Sequence, residues 1–114
     1  MSKKVPGRAL REKVVDETIR LKRPRRGARL REEVWQTYAG KVVKYNLAYV
    51  NPLVCQVDHG RVIGYDNSHG YHHRHFMGIM EAIEFTDYES LAVQFRDEVQ
   101  ELWRKENDEN GYES

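Results

Sequence analysis

The chain has 114 residues, 39% hydrophobic and 32% charged, with a formal net charge of +1. That length holds one modest core. No apolar run reaches the eighteen or so residues of a membrane helix, and the N-terminus lacks the apolar stretch of a secretory signal. The single cysteine, Cys55, builds no disulfide framework, so the expectation is a single domain, 1–114, in a reducing cytoplasm with no membrane contact. In chain order, residues 1–12 read as a flexible basic arm. Residues 13–21 (KVVDETIRL) alternate roughly and suit a strand or a short helix. Lys22-Arg23-Pro24-Arg25-Arg26-Gly27 breaks that element, because proline removes a donor and glycine relaxes the turn. Residues 29–37 (RLREEVWQT) fit either period. Residues 41–50 (KVVKYNLAYV), rich in Val and Tyr, predict a strand ended by Asn51-Pro52.

Leu53–Val57 predicts a further strand with Cys55 buried as a small hydrophobe. Asp58-His59-Gly60 predicts a hairpin loop, Arg61–Tyr65 its return strand, Asp66–Gly70 a second turn, and Tyr71–Met77 the strand after it. Tyr88, Leu91, Ala92, Phe95, Val99, Leu102 and Trp103 then recur at helical spacing, with Thr86 and Glu89 as a capping box. Residues 106–114 read as an acidic tail. The fold class expected is α+β: an antiparallel meander with a C-terminal amphipathic helix packed on one face, in two layers.

Charge is distributed unevenly. Residues 1–31 carry 12 Lys/Arg against 3 Asp/Glu, whereas residues 81–114 carry 3 against 11. A basic N-terminal third suits phosphate contact and an acidic C-terminal third repels it; both can equally be solvated faces. Four of the five histidines fall between His69 and His75. On a strand, Tyr71, His73, His75 and Met77 share one face, and His72, Arg74 and Phe76 the other. Three readings are open. A metal site has two of the four clustered histidines plus Asp66 as a partial ligand set, His-x-His being a familiar metal spacing, with Arg74 an unwelcome charge beside a cation. Phosphate chemistry needs no cofactor: histidine serves as acid or base near neutral pH, the Arg74 fork holds a phosphate, and Tyr65, Tyr71 and Phe76 stack bases. A solvated polar strand is the third. Asp66 and Asn67 are turn formers first, and Asp66 can also orient a histidine.

Gly64-Tyr65-Asp66-Asn67, Gly70, His73-Arg74-His75 and Gly78, with Tyr45, Asn46 and Phe85, resemble the TumE family over roughly residues 41–103. That family comprises toxin components of bacterial type II toxin–antitoxin modules. The resemblance implies a cytoplasmic growth-inhibiting endoribonuclease acting on RNA, paired with a helix-turn-helix antitoxin. On that reading His73, Arg74, His75 and Asp66 are catalytic. Arg23, Arg25, Arg26, Tyr65, Asn67, Tyr71 and His72 contact RNA, and no metal is needed. A homodimer in which the acidic third masks the basic third is a further possibility. Non-catalytic nucleic-acid binding and a metal-binding accessory role are the competing functions.

Overall fold

A computed structural model describes residues 11–110. Six strands, β1 (Arg11–Arg20), β2 (Arg29–Thr37), β3 (Val42–Val50), β4 (Arg61–Asp66), β5 (His73–Phe76) and β6 (Ile79–Ala82), precede helix α1 (Tyr88–Asn110). The strands form one antiparallel sheet in sequence order. This is the expected α+β arrangement. Residues 13–21 and 29–37, open to either period in the sequence, form the β1–β2 hairpin.

The register divides the sheet into two faces. Leu47 lies opposite Tyr65 and Tyr49 opposite Ile63, and these side chains, with Tyr45, meet Leu91, Phe95 and Val99 of α1 in the core. Alternation therefore sends Asn46, Ala48, Gly64 and Asp66 to the opposite face, which no helix among the described residues covers. The apolar stripe of α1 reaches β3 and β4, the central strands. Asp87, not Thr86, caps the helix: its carboxylate accepts from the Ser90 amide at 2.7 Å and hydroxyl at 3.0 Å.

Several expectations are corrected. Leu53–Val57 is not a strand. Asn51 O accepts from both Val54 N and Cys55 N at 3.0 Å, and Asn51 Oδ1 accepts from Leu53 N, so the chain curls after Pro52 instead of extending. Cys55 is buried as expected, in that loop. The last predicted strand begins at His73, not Tyr71, and stops at Phe76. Met77 and Gly78 have φ of 50° and 87°, the two left-handed residues of a tight hairpin that returns the chain as β6. The arm assigned to residues 1–12 loses Arg11 and Glu12 to β1; residues 1–10 lie outside the described part. The acidic tail is helical through residue 110, and residues 111–114 lie outside it. Glu106, expected in that tail, is buried.

Candidate functional site

Strands β4 and β5 build a polar cluster on the open face. Their register sets Asp66 opposite His73 and Gly64 opposite His75, so two histidines two residues apart converge on one carboxylate. His73 Nδ1 lies 3.1 Å from Asp66 Oδ1, and His75 Nε2 lies 3.0 Å from Asp66 Oδ2. The facing ring nitrogens are 3.2 Å apart. His73 is only 1% exposed, and its Nε2–H donates to Ser68 O at 2.9 Å. Ser68 in turn donates its amide and hydroxyl to Asp66 Oδ1.

Arg61 closes the cluster. Its Nη2 donates to His75 Nδ1 at 3.0 Å, its Nη1 lies 3.3 Å from Asp66 Oδ2, and its Nε holds Asp58 at 2.8 Å. Gly64 makes room for this side chain: a Cβ there would lie 2.7 Å from Arg61 Cδ and 2.8 Å from Leu47 O. With Arg61 donating to Nδ1, neutral His75 carries its proton on Nε2, where Asp66 accepts it. Burial and the Arg61 guanidinium lower the His75 pKa, keeping the ring neutral at pH 7. At Asp66, burial opposes ionisation, but the Ser68 hydroxyl and the neighbouring histidines outweigh it and its pKa is lowered.

Asp66, His73 and His75 each offer one ligand atom, all within 4.8 Å of one another. Two histidines and a carboxylate are a familiar set for divalent transition metals. Two features favour proton sharing instead. The Nε2 atom that would face a metal bears the proton fixed by Arg61, and the guanidinium bonded to two of the three groups already supplies positive charge.

A groove of about 550 Å³ runs from this cluster across the open face, lined by Arg20, Arg29, Arg31, Asn46, His59 and Arg61 among others. Arg31 is held by Asp16 and Glu33, whereas Arg20 and Arg29 have no carboxylate partner among the described residues. The β1–β2 turn carrying Arg23 and Arg26, both exposed, continues from the Arg20–Arg29 pair.

The other sequence-selected residues lie elsewhere. Arg74 points to the helix face, where Nε donates to Tyr65 Oη at 3.1 Å and Nη2 to Glu98 at 3.2 Å, so the His-Arg-His triplet is split by strand alternation. Arg25 reaches the end of α1, donating to Glu106, Trp103 O and Asn107. Tyr65 is fully buried, edge-on to Phe95, and burial with the Glu98 hydrogen bond raises its pKa to about 12; its ring faces no solvent. Asn67 ties β3 by accepting from Tyr45 N and donating to Val43 O. His72 stacks on Phe85 at 3.9 Å and bonds Tyr45 Oη through Nδ1. Tyr71 is 45% exposed and sits edge-on to the His73 ring. Sequence reasoning overlooked Arg61, whose signal was a single cation opening the apolar strand RVIGYD, and read Arg20, Arg29 and Arg31 only as part of the basic N-terminal third.

A family model described as Toxin TumE matches residues 9–103. The chain belongs to the TumE toxin family. The match takes in the β1–β2 hairpin as well as the segment from residue 41 onward, so the basic N-terminal strands are part of the family's own sequence. No curated protein and no solved structure matches the chain. Among the described residues no helix is long and apolar enough to cross a membrane.

Proposed function

We propose that this TumE-family chain is the toxin of a type II toxin–antitoxin pair and cleaves RNA by proton transfer, with the open face of the sheet as its RNA surface. The observation carrying this reading is the Asp66–His75–Arg61 arrangement at the wall of a cationic groove. Asp66 on Nε2 leaves His75 Nδ1 as the base, the logic by which a carboxylate orients a catalytic imidazole. A phosphate entering the groove draws Arg61 from Nδ1 onto its oxygens, which frees the base and neutralises the charge building at phosphorus. Nδ1 then takes the proton of the 2′-hydroxyl, the 2′-oxygen attacks phosphorus, and the 5′-oxygen leaves with a proton from solvent. His73 is a positioning residue: its Nε2–H is held by Ser68 O, and its bare Nδ1, 3.2 Å from the protonated Nε2 of His75, helps to hold that ring in place. The phosphate grip passes from Arg74 to Arg61, because Arg74 lies on the helix face.

Cleavage of a defined single-stranded RNA by the purified chain in EDTA tests the reading. His75→Ala is expected to lower the rate at least a hundredfold, the usual scale of acid–base catalysis, while still melting cooperatively. Arg74→Ala is expected to retain cleavage if its fold survives. RNA that is bound but never cut would favour a non-catalytic binding protein. Loss in EDTA restored by zinc or manganese would replace proton sharing with a metal site.

A further inference from the structure

A second hollow lies across Asn46 from the cationic groove. It holds about 300 Å³ and is lined by Glu33, Trp35, Lys44, Asn46, Asp66 and Ser68, with Tyr45. Asn46 borders both hollows, so the Asp66–His75 cluster stands where they meet. Trp35 on β2 is paired with Lys13 of β1 and Lys44 of β3, and the two ammonium groups lie 4.8 and 4.7 Å from its ring centroid. Lys13 is fixed by Asp16 and Glu33. Lys44 has no carboxylate partner among the described residues.

We propose that this hollow is a nucleobase subsite for single-stranded RNA, in which a base stacks on Trp35 and Lys44 takes the adjoining phosphate. The proposal rests on the ribonuclease reading and adds to it where the chain of nucleotides runs. Trp35 and Lys44 are half-buried, and an ammonium over an indole outside the core is weakly held. It moves readily to a phosphate oxygen and leaves a ring face to the base. Lys44 and Asn46 are two residues apart on one face, about 7 Å at strand rise, so a base on Trp35 and a phosphate at Arg61 fall within a short extended stretch. The cations of the larger groove carry the backbone onward. A duplex hides its base faces and cannot use Trp35 without unstacking.

A 2′-O-methyl oligonucleotide lacks the nucleophilic hydroxyl and separates binding from cleavage. Titrating the full chain with a single-stranded 2′-O-methyl hexamer should quench tryptophan fluorescence. Trp35→Ala should abolish that quench and weaken binding at least tenfold, the scale of one lost base–aromatic stack, and Trp35→Phe should keep most of the affinity. If Trp35→Ala melts without cooperativity, Trp35→Leu, apolar but unable to stack, gives the same comparison. Wild-type affinity in the non-stacking variant, with Arg29→Ala still weakening binding, would overturn the subsite and leave the RNA reading standing. Failure of the wild type to bind any oligonucleotide would overturn both.

Discussion

His75 is a titrating group placed between a guanidinium and a carboxylate, and its pH behaviour follows from that placement. Burial first, then Arg61, lowers its pKa from the ordinary 6.5, against the pull of Asp66 and Asp58. The unfolded chain therefore binds a proton at this position before the folded chain does, and stability falls as pH drops through and below 6.5. Asp66 works in the same sense at lower pH: its pKa is lowered from 3.8, so its contribution is lost only as pH falls below that value. His72 is also lowered, by burial and then by His73, and is the necessary comparison. Thermal melts between pH 7 and 5 should show His75→Gln less acid-sensitive than the wild type, with His72→Gln removing a separate part of the slope. A His75→Gln profile that overlays the wild type would mean that the ring is not protonated differently on folding. Cleavage by the wild type should lose its base on the acid side below pH 6.5.

The β1–β2 hairpin is joined to the end of α1 by Arg25, and this changes what the basic third does. Arg25 and Glu106 have side chains 10% and 8% exposed and lie 3.1 Å apart, with Tyr49 Oη also donating to Glu106. The guanidinium sits 4.8 Å from the Trp103 ring centroid. Arg25→Ala withdraws a buried cation from a buried carboxylate, which typically costs about 3–5 kcal/mol. Urea unfolding should show a loss on that scale, while the salt dependence of RNA binding stays as in the wild type. Arg20→Ala and Arg29→Ala should do the reverse, leaving stability nearly unchanged. Each phosphate contact removed lowers the slope of log K against log salt by about 0.7 for a single strand. Equal salt slopes in all three variants would assign the hairpin a protein partner instead. Deleting residues 1–27 would remove β1 and the Arg25 link together, so it would unfold part of the sheet and not merely trim a basic arm.

At the scale of the whole molecule, the open face is cationic near the cluster, whereas α1 carries acid on its outer side. An antitoxin that covers the groove with an acidic segment would silence the toxin by occupying the RNA path. Association should then be fast at low salt and slow as salt rises, because surface charges steer encounter more than they hold the complex. Co-expression with the neighbouring reading frame should give a complex that no longer binds the hexamer, and Arg20→Ala/Arg29→Ala should weaken both partners. A complex that still binds the hexamer would place the antitoxin on the helix face.

How much of this was legible in the sequence follows the range of the interactions. The stripe of Leu91, Phe95 and Val99 announced α1 because helical spacing is local. The density of histidines marked the neighbourhood of the site, and strand alternation foretold that His73 and His75 would share a face without Arg74. The strand expected at Leu53–Val57 failed because an Asx turn at Asn51 competed with alternation, and β6 was hidden behind the Met77-Gly78 turn. Residue choice and period thus determined the helix, most of the meander and the pairing of two histidines. Only the tertiary structure decided what they face. Arg61 meets His75 across 14 residues, and Arg25 meets Glu106 across 81. Those encounters depend on register between strands and on a helix end folding back, which no local pattern specifies.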